Sequence, residues 1–200
     1  MPYSDFTLEK ACKELPLKIM NADLVFNVTE NYCLPAEFMT YLKEGIQLGT
    51  AIDNEKSRSE FIVAPLLLRL KSVLKNEISI FSGTELNIDK QKGLTGVCDF
   101  LIAKSKMQYI LTQPIIALVE AKNSDIYIGL GQCIAEMYAA QLYNQQQNSE
   151  IKITYGIVTT GTAWKFLTLQ EDLVIIDNNE YFINDVEKLF SILIHIIQQS

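Results

Sequence analysis

The chain has 200 residues, 48% hydrophobic and 20% charged, with a formal net charge of −7. That is one domain's length with material for a real core, far from the composition of disordered chains. No apolar run reaches the roughly 18 residues needed to cross a bilayer, and no basic segment leads into an apolar one at the amino end, so a cytoplasmic protein without a membrane partner is expected.

In chain order, Thr7 is placed to cap a helix running to about Leu15, and Pro35 to open a second that stops at Gly45. Residues 1–54 read as a small peripheral extension. Ser57 or Ser59 then begins a helix through about Lys75. Its stretch Phe61-Ile-Val-Ala-Pro-Leu-Leu-Leu-Arg-Leu70 is apolar on nearly every side and should be buried, with Pro65 kinking it or sitting in its first turns. Strand-like segments follow at Glu77 to Phe81, with a continuation near Glu85 to Ile88, at Gly96 to Ala103 and at Ile115 to Lys122. Ser82-Gly83 and Lys92-Gly93 supply turn chemistry between them. A helix from about Ile128 to Asn144 comes next, and the polar patch Asn144-Gln-Gln-Gln-Asn148 reads as its solvated end. Ile153 to Thr159 and Ala163 to Leu169 flank a Thr160-Gly161 hairpin turn. Val174 to Ile176 would add an edge strand, and Asn184 would cap a closing helix to Gln198. The expected class is α/β, a mixed central sheet flanked by helices.

Composition also limits the chemistry. The four cysteines, Cys12, Cys33, Cys98 and Cys133, form no Cys-x-x-Cys pair, against a zinc ribbon, a redox motif or a disulfide framework. His195 is the one histidine and lies in an apolar run, so multi-histidine metal sites are excluded. Chemistry must run on carboxylates, lysines and hydroxyls. An acidic total argues against nucleic acid as a partner, but residues 55–76 are positive, with Lys56, Arg58, Arg69, Lys71 and Lys75 against Glu55 and Glu60. Carboxylates gathered around a bound cation would account for part of the negative count. The sequon Asn27-Val-Thr29 has no role without secretion.

One segment stands out. Along Ile115-Ile-Ala-Leu-Val-Glu-Ala-Lys122, alternation puts Ile116, Leu118, Glu120 and Lys122 on one face. Both faces are apolar until two charges appear at the end of one of them, where an ionised group must be paired or metal-bound. A plain Glu–Lys pair is the bland alternative. The spacing alone is weak, since Glu150-Ile-Lys152 shares it; that copy follows a polar stretch and reads as a solvated strand entry. Antiparallel pairing with Gly96 to Ala103 can set Asp99 opposite Glu120, Leu101 opposite Leu118 and Ala103 opposite Ile116. The two carboxylates would then stand about 5 Å apart at Cβ, an arrangement that makes sense around a divalent cation.

These residues resemble the PD-(D/E)xK nuclease superfamily, whose restriction-endonuclease-like core runs helix, three-stranded meander, helix, strand. The resemblance covers roughly residues 55–170, leaving 171–200 as a C-terminal strand and helix of the same single domain. More narrowly, Glu55-Lys-Ser-Arg-Ser-Glu-Phe-Ile-Val-Ala-Pro65, Val119-Glu-Ala-Lys-Asn123 and Gly129-Leu-Gly-Gln-Cys-Ile-Ala-Glu-Met137 resemble a group of uncharacterised bacterial proteins frequent in cyanobacteria. The motif maps onto Asp99 and Glu120-Ala-Lys122, with Glu60 in the place of the helix glutamate and Gln132 in that of the helix glutamine. Cys98 stands where the motif's name has proline, and Glu136 follows Gln132 where some members carry tyrosine. The resemblance implies Mg²⁺-dependent phosphodiester hydrolysis, with Mn²⁺ an alternative ion, on DNA in preference to RNA. Asp99, Glu120 and the Ala121 carbonyl would hold the ion, and Lys122 would orient the attacking water and offset charge on the phosphorane. Glu60 would hold a second ion or a metal-bound water, or serve only as a helix-start carboxylate. Gln132 would hydrogen-bond Lys122 or the nucleophile, or be an ordinary helix residue. A homodimer would supply two sites for two strands.

Other candidates stand on less. Lys56 and Arg58 are candidate phosphate contacts or a solvated face. Trp164 could stack on a base but reads more simply as core. Gly129-Leu-Gly131 lacks the third glycine of a dinucleotide loop. A catalytically silent domain of the same fold, serving to bind a partner or dimerise, is the alternative to a nuclease.

Overall fold

The structure is a computed structural model that describes residues 2–199 except 25, 27, 29 and 76; Asn27 and Thr29 of the sequon therefore lie outside the described residues. Its elements are α1 (Leu8–Glu14), β1 (Lys18–Ala22), α2 (Ala36–Ile52), α3 (Glu55–Arg58), a π-helical segment (Ser59–Val63), α4 (Ala64–Val73), β2 (Ser79–Glu85), β3 (Val97–Ala103), β4 (Ile115–Ala121), α5 (Ile126–Gln146), β5 (Ile153–Thr159), β6 (Ala163–Gln170), β7 (Leu173–Asp177), β8 (Tyr181–Phe182) and α6 (Val186–Gln199). The strands form one sheet in the order β1-β7-β6-β5-β4-β3-β2, with β8 on β6. β1–β7 and β4–β5 are parallel and the other pairs antiparallel. The class is α/β with a mixed sheet flanked by helices. No helix of the described residues is long and apolar enough to cross a membrane.

Two cores lie on the two faces of the sheet. Ile62, Leu66, Leu67 and Leu70 join Leu42 of α2 and Phe190 and Leu193 of α6 on one face. Ala11 and Leu15 join Leu130, Ile134 and Met137 of α5 on the other. α5 is buried along most of its length and is fastened to β4 at both ends. At its foot the Asn144 side chain accepts from Ile115 N–H (2.8 Å) and donates to Ile115 C=O (2.7 Å). Asn144 is thus buried structure, and only the rest of the patch is solvated. At its head, a Cβ on Gly129 would meet Val158 at 2.7 Å and the Lys122 side chain at 3.1 Å, so glycine lets α5 lie against the end of β4.

The first 54 residues are not all peripheral, although α2 is buried only at Leu42 and Gly49. β1 lengthens the sheet alongside β7, which is therefore an interior strand and not the expected edge. Tyr3 and Phe6 are buried in the α5-side core. Thr7 caps α1 as expected, its hydroxyl accepting from Lys10 N–H. α1 then packs so closely on α5 that a Cβ on Gly131 would stand 2.2 Å from the Thr7 carbonyl carbon. Backbone cannot yield as a flexible side chain can. Gly131→Ala is expected to cost about 2 kcal/mol of stability, within the range for overpacking a filled core, read as a lower Tm in a thermal melt.

The helical region before the meander differs from the expectation in instructive ways. α2 passes through Gly45 and runs to Ile52, capped by Asp53, whose φ of 55° is left-handed. Gly45 serves close approach, since a Cβ there would stand 2.3 Å from the Phe61 carbonyl oxygen. The next helical run starts at Asn54, which forms a capping box with Ser57, ahead of the expected serine start. Pro65 has no N–H to offer the Phe61 carbonyl four residues back, and the chain meets this with the wider π turn of Ser59–Val63 instead of a break. The run is buried as expected at six of its ten positions, half-buried at Phe61, Ala64 and Arg69, and open at Leu68, which is 69% exposed. Gly83 (φ 62°) stays inside β2 instead of ending a strand, the register running on either side of it as Ser82↔Phe100 and Thr84↔Cys98.

Candidate active site

β3 and β4 pair as Phe100↔Val119, Leu101↔Leu118 and Ile102↔Ala117, the register that brings Asp99 beside the end of β4. It slips at the far end, where Ala103 faces Ile115 and not Ile116. That irregularity also breaks the alternation: Ile116 packs in the α2/α4 core, while Leu118 packs under α5. The expected pairing of Leu101 with Leu118 is present.

Asp99 spends Oδ2 on the Ala121 backbone N–H at 2.8 Å. Glu120 is almost wholly buried, at 1% exposure. Its Oε1 accepts a hydrogen bond from the Lys122 ammonium. The backbone N–H of Lys122 continues the ladder onto Thr159 C=O at 2.7 Å, which fixes where the side chain starts. Lys122 Nζ also donates to Gln132 Oε1 at 3.3 Å, and Gln132 Nε2 donates to Glu136 Oε1 at 3.0 Å. Gln132 thus reaches Lys122, one of the two partners expected for it. Asp99, Glu120, Lys122 and Gln132, with the Ala121 backbone between them, form one connected group.

Its electrostatics are those of a buried cluster short of positive charge. Burial first, and then the Asp99 carboxylate, push Glu120 up to about 7 against the opposing pull of Lys122. Burial likewise raises Asp99, although the Ala121 N–H and Lys122 resist. Burial works against the Lys122 ammonium, but Glu120, Glu55 and Asp99 together hold its pKa above the ordinary lysine value. Three of the six buried side-chain polar atoms without a hydrogen-bond partner among the described residues are acceptors in this neighbourhood: Glu120 Oε2, Asn123 Oδ1 and Glu136 Oε2. An excess of hard oxygen acceptors, with one orphaned on the buried glutamate, suits a divalent cation. Among the described residues no group of three or more His, Cys, Asp or Glu side chains is arranged to hold a metal ion, so Asp99 and Glu120 would need backbone or water oxygens to complete a shell.

No family model matches the chain, and no curated protein does.

Other expected residues lie elsewhere. Glu60 lies on the π segment, where it pairs with Lys56 at 3.5 Å and lines an apolar groove with Phe38, Tyr41 and Leu68. The carboxylate of this helical run whose field reaches Glu120 and Lys122 is Glu55, at the start of α3. Arg58 is committed to structure, since it donates to Thr160 C=O at 3.1 Å and pairs with Asp53 at 3.0 Å. Lys56 remains highly exposed. Trp164 is fully buried and donates to Gly161 C=O at 3.0 Å, which is the core role and leaves no face for a base. His195 is half-buried against Phe26, a boundary residue. Buried Cys98 and Cys133 have pKa values pushed up by burial, Glu136 adding to it, so neither is poised as a thiolate.

Two groups escaped the sequence reading. Glu136, noted only as an absent tyrosine, is fully buried behind Gln132. Lys165 shares Glu120's face through the register Glu120↔Val158↔Lys165. It is buried, 3.8 Å from Glu180 and 5.7 Å from the ring centre of exposed Tyr127. Neither carries a spacing signal, because an isolated charge in an apolar helix or strand looks the same whatever it faces.

Proposed function

We propose that the chain is a metal-dependent phosphodiester hydrolase of the PD-(D/E)xK type, with a restriction-endonuclease-like fold, acting on DNA in preference to RNA. The observation that carries this reading is the meeting of Asp99 and Glu120 from neighbouring strands with Lys122, where Glu120 Oε2 has no hydrogen-bond partner among the described residues. The order of elements supports it: a helical run, the β2–β3–β4 meander, α5, and then β5 parallel to β4.

Asp99, Glu120 and the Ala121 carbonyl would hold Mg²⁺ or Mn²⁺, which supplies Lewis acidity towards the phosphate and a more acidic water. The chain's own part is positional and electrostatic. Lys122 donates a hydrogen bond to the attacking water and offsets the negative charge that grows on the phosphorane oxygens. Gln132 steadies the ammonium from the helix side. Exposed Lys56 is the candidate phosphate contact left of the basic pair. A homodimer would bring two such sites to the strands of a duplex, and a cytoplasmic location goes with cysteines that form no disulfide.

A supercoiled plasmid incubated with the protein and Mg²⁺ or Mn²⁺ should be nicked, and a chelator should stop it. Asp99→Ala should lose both cation binding, read by calorimetry, and nicking. The acidic balance of −7 favours one other reading, a silent domain that binds a partner. Intact plasmid and intact single strands after long incubation with either ion would decide for it.

A further inference from the structure

Glu136 has no part in the chemistry just described, yet its placement is costly. A fully buried carboxyl near Cys133 forfeits its hydration, and Oε2 finds no partner in return among the described residues. A leucine there would suit the helix and the core better.

What Glu136 does make is one hydrogen bond in a chain. Its Oε1 accepts from Gln132 Nε2 at 3.0 Å, and Gln132 Oε1 accepts from Lys122 Nζ at 3.3 Å. A glutamine amide has two senses, with the oxygen at one end or the other. Glu136, protonated or not, keeps an acceptor oxygen in Oε1 at the buried end, and the NH₂ turns inward to it with the carbonyl oxygen outward to Lys122. With the amide reversed, its oxygen would face the Glu136 oxygen, and its NH₂ would face an ammonium that can only donate. The i, i+4 spacing on α5 stacks Gln132 and Glu136 on one face and makes this exchange possible. Lys122 then gives one hydrogen to Glu120 and one to Gln132, and its third is uncommitted among the described residues.

We infer that Glu136 is a positioning residue: by setting the sense of the Gln132 amide it holds the Lys122 ammonium with one hydrogen free for the attacking water or the scissile phosphate. This rests on the nuclease reading for its consequence, though not for its geometry.

The test uses the full chain with Glu136→Leu and Glu136→Gln. For Glu136→Leu, single-turnover nicking should fall about tenfold or more with KM unchanged, while Tm stays level or rises because the buried unpaired oxygen is gone. The Gln132 side-chain NH₂ signals, followed by NMR without substrate, should shift and exchange faster with water. Glu136→Gln keeps a carbonyl acceptor and should restore part of the rate. Activity and Tm falling together, with the Gln132 signals unmoved, would overturn the inference and leave Glu136 a packing residue. If wild type cuts nothing with either ion, the nuclease reading fails, and the NMR shift alone decides whether Glu136 orients Gln132.

Discussion

Lys122→Ala is expected to lower the single-turnover rate of plasmid nicking by about 100- to 1000-fold, the cost of removing one preorganised donor to developing negative charge. The size follows from the surroundings. The Lys122 side chain is 16% exposed, held on one side by Glu120 and on another by Gln132. Water entering the space it leaves carries no charge and has no fixed orientation. Cation binding should survive, because Asp99 and Glu120 remain and a competing positive charge is gone. Loss of rate with retained binding separates a chemical role from a structural one. Lys122→Arg keeps the charge but not the compact ammonium, and should recover only part of the rate. A Lys122→Ala protein that cuts as fast as wild type would remove this residue from the chemistry.

A second large effect concerns pH and stability. Glu120 rises in the fold from an ordinary 4.5 to about 7, through burial first and the Asp99 charge second. Between those values the folded state binds a proton that the unfolded chain has released, so stability falls as pH rises through the interval. A shift of that size corresponds to about 3 kcal/mol, present below about pH 4.5 and lost by about pH 8. Glu136 is raised as well, by burial and then by Glu120, so its loss adds in the same direction. Without divalent cations, denaturant midpoints should decline from pH 5 to pH 8, and Glu120→Gln should flatten that decline. Mg²⁺ or Mn²⁺ should restore stability at pH 8 and do little at pH 5, where Glu120 is protonated. Stability that is flat or rising over this range would contradict the buried, repelling pair.

The core of the site was legible because a strand has period two. Ile115 to Lys122 has no polar side chain before Glu120, so the two charges at its end had to share a face and needed partners. The register with β3 was an assumption that set Asp99 opposite Glu120; it carries the pairing of Leu101 with Leu118, which the structure has. The Ala103–Ile115 slip was not legible, since an irregularity at the start of a uniformly apolar strand changes no visible pattern. β1 was missed for a related reason: Lys18-Ile-Met-Asn-Ala22 has little alternation and earns its place by adding to the edge of β7. Gly45 looked like a helix stop because its actual cause, the Phe61 carbonyl, is distant in sequence. Glu60 came from the resemblance, which places a glutamate on the helix before the meander, and no pattern in the sequence marks Glu55, whose field reaches Glu120 and Lys122.

The central claim is that Asp99 and Glu120 converge on a position fit for a divalent cation beside Lys122. Crystals grown with Mn²⁺ and measured at a wavelength where manganese scatters anomalously test it most directly. The account predicts one strong anomalous peak within coordination distance of both carboxylates, absent from Asp99→Ala crystals. A map with no peak there, or with manganese bound only by exposed carboxylates elsewhere, would contradict it.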